Sequence, residues 1–360
     1  MILAYGPRDP LADSTVVDWR ALFSQLWVRS NGNLTEVLQD LKDLVDRHNL
    51  AGEGRGFDDV LDDLEKQGLI KREIGQILPT AGSSATVRDS IFEMIFGGLE
   101  RGLPGGHASP RTGTGHTPER QPHTRAWQSG DDVRDLDWNS SLRNTLRRGA
   151  GANGLEEGDL EVWESESTTG CATVLMIDVS HSMILYGEDR ITPAKMVAIG
   201  LAEFIRRRHP RDTLDVLAFG NEAWRIPTAS LAELAVGPFH TNTADGLRLA
   251  REILRKRRAA NKRILMITDG KPSCIFDKGR LYRNSMGLDP LVVERTLAEG
   301  RRCFREGCGI STFMIAQDPA LVEFVELFTR AVQGQAFFTG LDRLGEFVLR
   351  DWASNRRKRV

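Results

Sequence analysis

The stretch TVLMIDVSHSM, Thr173 to Met183, runs as an apolar segment into Asp178 and then sets hydroxyls on alternate positions, Ser180 and Ser182. A short run of β-branched and large apolar residues that drops into polar ones reads as a buried strand and its exit. Side chains two residues apart on such a chain point the same way, so Asp178, Ser180 and Ser182 are directed into one crevice. One carboxylate and two hydroxyls make an all-oxygen donor set without His or Cys. That set suits a hard octahedral cation, Mg²⁺ or Mn²⁺, rather than zinc.

Outward from this strand, apolar runs alternate with amphipathic ones: PAKMVAIGLAEFIRRR, TLDVLAFG, TADGLRLAREILRKRR, RILMITDG, LVVERTLAEGRRCFREG, ISTFMIA, ALVEFVELFTRAV, QAFFT and LGEFVLRDWA. Strands separated by helices predict an α/β fold with a doubly wound, mostly parallel sheet covered on both faces. In such a sheet ligands bind at the carboxyl ends of the strands, where strand order reverses. Two further segments bring polar groups to strand ends or loops. FHTNTADG carries Thr241 and Thr243 before a helix, and RILMITDG carries Asp269.

The D-x-S-x-S at 178–182, the Thr of HTNT at 241 and the Asp of TDG at 269, in that order on alternating segments, resemble the metal-ion-dependent adhesion site of von Willebrand factor type A (vWA) domains. The resemblance covers about residues 168–353. It implies that Ser180 and Ser182 bind the metal directly and Thr241 directly or through water. Asp178 and Asp269 would act mostly through waters and hydrogen bonds to the hydroxyls. With hydroxyls nearest, the metal stays electron-poor and an open position accepts a carboxylate from a partner protein. His240 stands where the family often has a small Gly, which implies a changed backbone approach there, or a side chain that flanks the partner's carboxylate. FIRRRHPRDTLDVLAFG and ITDGKPS are similar to the cytoplasmic bacterial branch, whose members often serve AAA+ ATPases of the MoxR or magnesium-chelatase type. The resemblance thus implies a non-enzymatic adaptor with an AAA+ ATPase as one partner.

The rest of the chain sets the surroundings. Residues 1–101 read as a helical module, clearest in NLTEVLQDLKDLVDRHNL, and the helical pair, the short strand KREIGQILP and a third helix are similar to a winged helix. Its candidate recognition region carries Asp, Glu and Gln instead of an Arg/Lys stripe, so nucleic acid is not an expected partner. Residues 102–125 are rich in Gly and Pro and read as a linker, with His107, His116 and His123 solvated. Residues 126–167 read as an ordered lead-in that adds an edge to the next domain, 168–353 as the vWA-like domain, and 354–360 as a basic tail.

A net charge of −2 on 360 residues, with 40% hydrophobic and 27% charged, marks a globular protein with no dominant nucleic-acid or membrane-surface character. No run is long and apolar enough to span a membrane and no leader is evident, so a cytoplasmic location is expected. Cys171, Cys274, Cys303 and Cys308 form no CxxC pair and read as buried free thiols. The chief enzymatic alternative makes Asp178 the nucleophile of a Mg²⁺-dependent phosphotransferase. That chemistry normally needs an acid two residues later, where Ser180 stands. A regulator acting on nucleic acid through the N-terminal module is the other alternative.

Overall fold

The alternating runs form one six-stranded sheet in the computed structural model of the protein, which describes residues 17–48, 50–51, 55–73, 75–96, 119–128, 133, 136–149, 154–166, 170–187, 189–269, 271–284, 287–315, 319–341 and 343–355. The chain starts with α1 (Trp19–Arg29), α2 (Leu34–His48), α3 (Phe57–Lys66), a hairpin of β1 (Ile70–Glu73) and β2 (Gln76–Pro79), and α4 (Ser83–Phe96). Next come β3 (Glu119–Ala126), α5 (Trp138–Arg147) and β4 (Glu161–Glu166). The sheet then opens with β5 (Cys171–Asp178), α6 (Ile191–Arg208), β6 (Thr213–Phe219), β7 (Ala223–Ile226), α7 (Thr243–Arg255) and β8 (Asn261–Thr268). It closes with a hairpin of β9 (Cys274–Asp277) and β10 (Arg280–Arg283), α8 (Pro290–Arg305), β11 (Cys308–Met314), α9 (Pro319–Val332), β12 (Gln335–Phe338) and α10 (Leu344–Asn355).

Strand order is β12-β11-β8-β5-β6-β7, with every neighbour parallel except the β6–β7 pair. All eight residues of β5 are buried. Because side chains alternate along a strand, Leu175 and Ile177 enter one core while Val174 and Met176 enter the other. From β5 the chain proceeds to β6 on one side and, through α7, returns to β8 on the other. Strand order therefore reverses at β5, and the carboxyl end of β5 is the place where such sheets bind ligands.

The two cores explain how the N-terminal helices are held. One core joins β5, α6 and α10 to Phe23, Val28, Val37, Leu41, Leu64, Ile91 and Phe96 of α1 to α4. Gly200 of α6 makes the close approach feasible, since a Cβ there would lie 2.6 Å from Cε2 of Phe96. The other core is closed by α7, α8 and α9 through Leu247, Leu254, Cys303, Phe324 and Phe328. Residues Met1–Leu103 and Cys171–Val360 thus form one compact unit, and Pro104–Gly170 form a second. The periodicity of residues 1–101 marked helices correctly but gave no sign that α1 and α4 pack on α6, with α2 and α3 packed on α1.

Within the second unit, β3 and β4 pair antiparallel as a sheet of their own. Among the described residues the lead-in therefore adds no strand to the six-stranded sheet, whose edges are β7 and β12. β3 also takes up the last part of the stretch read as linker, because the polar Arg120–Arg125 run finds a partner strand in β4. The remainder of the linker, with His107 and His116, lies outside the described residues, as do the side chain of His123 and residues 356–360 of the basic tail. α5 is capped by Asp137, whose carboxylate accepts from Asn139 N–H at 3.1 Å and Ser140 Oγ at 2.6 Å. Its buried side is polar: Ser141 Oγ accepts from Glu161 N–H, and Thr145 Oγ1 donates to Asp159.

Candidate metal centre

Asp178 ends β5 and shapes its own exit. Its Oδ1 accepts the Ser180 N–H at 2.9 Å, a side-chain turn of the kind Asp favours, and its Oδ2 accepts the Thr268 hydroxyl of β8 at 2.6 Å. Ser180 Oγ lies 3.0 Å from Ser182 Oγ. Ser182 Oγ donates to Asp269 Oδ1 at 2.8 Å, and Arg190 Nη1 donates to Asp269 Oδ2 at 2.7 Å. Four of the five residues singled out in the sequence are thus joined by direct hydrogen bonds at the strand-order reversal. The loop that carries them is pinned by Val179 N–H to Phe219 O at 3.0 Å and by Arg190 N–H to Met183 O at 3.0 Å. His181, between the two serines, is exposed.

Thr241 reaches the site through its neighbours. His181 N–H donates to Phe239 O at 3.1 Å, which ties the serine loop to the Thr241 loop. Thr241 N–H donates to Ser273 Oγ at 3.0 Å, and Thr241 O accepts from Ser273 N–H at 2.9 Å and Cys274 N–H at 3.3 Å. Its backbone is fully committed, yet its hydroxyl has no hydrogen-bond partner among the described residues, although Thr241 is 3% exposed. The hydroxyl is therefore free to take a ligand or a water. The helix cap that Thr241 could have supplied is made by Asn242, which accepts from Asp245 N–H, and Thr243 is the first residue of α7.

Charge at the site is under strain. Burial raises the Asp178 carboxyl to about 7, the nearby Asp269 charge adding to the effect. Asp269 is raised by burial as well, against the opposing hydrogen bonds of Ser182 and Arg190. A cation relieves both. The 3.0 Å between the serine oxygens fits two adjacent vertices of a Mg²⁺ octahedron, about 2.9 Å apart for metal–oxygen bonds near 2.05 Å. Among the described residues no three His, Cys, Asp or Glu side chains converge, and the four cysteines are free and buried, so hydroxyls are the donors this site offers. Asp178 is 0% exposed with both oxygens engaged, a poor arrangement for in-line attack on a phosphoryl group.

Sequence reading missed four residues that build the site: Thr268, Ser273, Asn242 and Arg190. Thr268 was legible in principle, since it ends the strand beside β5. Arg190 was not, because only the fold of the Ser182–Asp189 loop returns it to Asp269.

Comparison with known proteins agrees with this architecture. Residues 171–353 match the family model described as the vWA domain of Rv0959-like proteins, and residues 119–165 match the third domain of the same proteins. Rv0959 of Mycobacterium tuberculosis strain H37Rv and Mb0984 of Mycobacterium bovis, both called uncharacterized, are each 33% identical over 246 residues. The match covers 65% of this chain and 36% of each relative, so the chain spans about a third of their length. Among solved structures, the pilus adhesin SpaC of Lactobacillus rhamnosus GG is similar at 16% identity and a TM-score of 0.44, over 53% of this chain and 31% of SpaC. The vWF domain of the pili tip protein Mfa5 of Porphyromonas gingivalis is similar at 14% identity and a TM-score of 0.40, over 53% of this chain and 98% of that domain. The fold is that of a vWA domain protein, and the chain belongs to the Rv0959-like family.

Proposed function

We propose that the chain is a metal-dependent protein-recognition module, in which Ser180, Ser182 and Thr241 offer hydroxyls to Mg²⁺ or Mn²⁺ while Asp178 and Asp269 hold those hydroxyls and the metal's waters. The bound cation keeps an open position for a carboxylate of a partner protein. The observation that carries the reading is the unbroken hydrogen-bonded chain from Asp178 through Ser180 and Ser182 to Asp269, beside an unpartnered Thr241 hydroxyl.

The module is non-enzymatic and acts in the cytoplasm as an adaptor for an AAA+ ATPase of the MoxR or magnesium-chelatase type. The buried Asp178, with both oxygens engaged, supports the non-enzymatic part of this reading; the location and the ATPase partner rest on the resemblance of FIRRRHPRDTLDVLAFG and ITDGKPS. Magnesium titration of the full chain by calorimetry tests the site, with Ser180→Ala and Asp178→Ala beside it. Saturable binding by the wild type, lost in both variants while circular dichroism stays unchanged, is expected. Equal binding by all three removes the reading.

A further inference from the structure

Between Asp269 and α8 the chain inserts the β9–β10 hairpin, a two-stranded sheet separate from the large one. Its base is closed by Asn284 N–H to Ser273 O at 2.8 Å and fastened to the metal-site loop by the Ser273 and Cys274 bonds to Thr241. Lys278 and Gly279, with φ of 48° and 77°, form the kind of turn that closes a two-residue hairpin and fixes its register. That register places Cys274 opposite Arg283, Ile275 opposite Tyr282, and Phe276 opposite Leu281. Opposed residues share a face and successive pairs alternate.

One face is occupied. Ile275 packs with Ala244 and Val292, and the Tyr282 hydroxyl donates to Asp289 Oδ2 at 2.9 Å at the start of α8. The other face carries Cys274, Arg283, Phe276 and Leu281, and the Cys274 thiol lies in the field of Asp178, Asp245 and Arg283. Cys274 is buried and its N–H donates to Thr241 O at 3.3 Å, so this face starts at the metal-site loop. Phe276 is 48% exposed on it. Lys278, Arg280 and Arg283 are exposed and form no ion pair among the described residues, while the one hairpin acid, Asp277, is taken by Arg295.

We propose that this hairpin reads the partner: beside the acid on the cation, the bound segment presents a second carboxylate to Arg283 and an apolar side chain to Phe276. The inference rests on the metal reading and names its partner chemistry, an acidic segment with interspersed apolar residues. Arg280, opposite Asp277, lies on the occupied face, but a metal ion and the unpaired Arg283, with the unpaired Lys278 at the turn, favour such a segment, and a neutral one would leave Arg283 desolvated without compensation.

Random dodecapeptides displayed on phage, selected on the full chain in magnesium and eluted with EDTA, test it against the same selection on the Arg283→Glu, Phe276→Ser double variant. The wild type is expected to enrich peptides with two acids near an apolar residue. A synthetic consensus peptide is expected to bind Arg283→Glu about tenfold more weakly and Phe276→Ser more weakly by a smaller factor. Enrichment of the same peptides by both proteins, or no acidic–apolar enrichment by the wild type, overturns the inference. Peptides that stay bound through EDTA overturn the metal reading instead, and the hairpin's role then stands if the double variant still changes which peptides are selected.

Discussion

The Arg190 guanidinium lies 2.7 Å from Asp269 Oδ2, while the Asp269 side chain is wholly shielded from solvent and takes the Ser182 hydroxyl on its other oxygen. With Asp178 and Asp269 ionised, this one guanidinium leaves the cluster with a single negative charge. A divalent cation turns it to a single positive charge, the sign that attracts a partner's carboxylate. Arg190 thus opposes the metal and favours the partner.

Arg190→Gln is therefore expected to bind Mg²⁺ about tenfold more tightly and an acidic peptide more weakly. Without metal the variant is expected to lose about 3 kcal/mol, because a buried carboxylate loses its charged partner. Calorimetry and denaturant melts in EDTA read the two effects. Metal affinity that falls with the substitution would show that Arg190 supports the ion rather than competing with it.

Thr241→Val separates metal binding from folding. The hydroxyl makes no hydrogen bond among the described residues, so replacing it with a methyl of similar volume is expected to change stability by less than about 0.5 kcal/mol. Mg²⁺ affinity is expected to fall about tenfold with loss of one oxygen donor. A large drop in melting temperature with unchanged metal affinity would make Thr241 a structural residue.

The central fold was legible because its signals are local. The all-buried β5, the amphipathic α7 and the exit at Asp178 each announce themselves within about ten residues. Strand alternation picked out Ser180 and Ser182, but β5 ends at Asp178 and the chain turns there into a 3-10 helix, His181–Gly187, so it is that turn which brings the two hydroxyls together. What stayed hidden depends on contacts far apart in sequence. The short antiparallel β7, AWRI, and the β9–β10 hairpin, CIFDKGRLYR, are too brief to carry a period. The placement of α4 on α6 is set by Phe96 meeting Gly200, a contact that helical spacing cannot reveal. The same holds for Arg190, whose partner is 79 residues away.

The seam between α4 and α6 is expected to be acid-sensitive. Burial alone would raise the Glu203 carboxyl, but its bonds to Arg206, Arg207 and Arg88 outweigh that and hold it below the usual carboxylate range. A group with a depressed folded pKa binds fewer protons in the native state. Its stabilising contribution is therefore complete above the unfolded value, about 4.3, and is lost as pH falls through the lower folded value. Glu203→Gln is expected to cost about 2 kcal/mol at pH 7 and to flatten the fall of stability below pH 4.3. Parallel acid limbs in the two proteins would place the acid lability elsewhere.

Lys195 makes the most direct test of how the N-terminal helices are held. Fully buried on α6, its ammonium donates to Val28 O at 2.5 Å, Asn31 Oδ1 at 2.8 Å and Leu234 O at 3.0 Å, so one side chain ties the end of α1 and the loop before Phe239 to the sheet's covering helix. Three acceptors match the three N–H donors of an ammonium. Lys195→Met keeps the aliphatic stem but strands all three oxygens, and a loss of about 3 kcal/mol or more is expected. The loss should be uneven. Amide exchange is expected to quicken most at the end of α1 and around Leu234, while β5, buried between two cores, keeps its protection and the folded variant keeps its Mg²⁺ affinity. Exchange that quickens equally in α1 and β5 would mean that Lys195 stabilises the fold as a whole and is not the tie between α1 and α6.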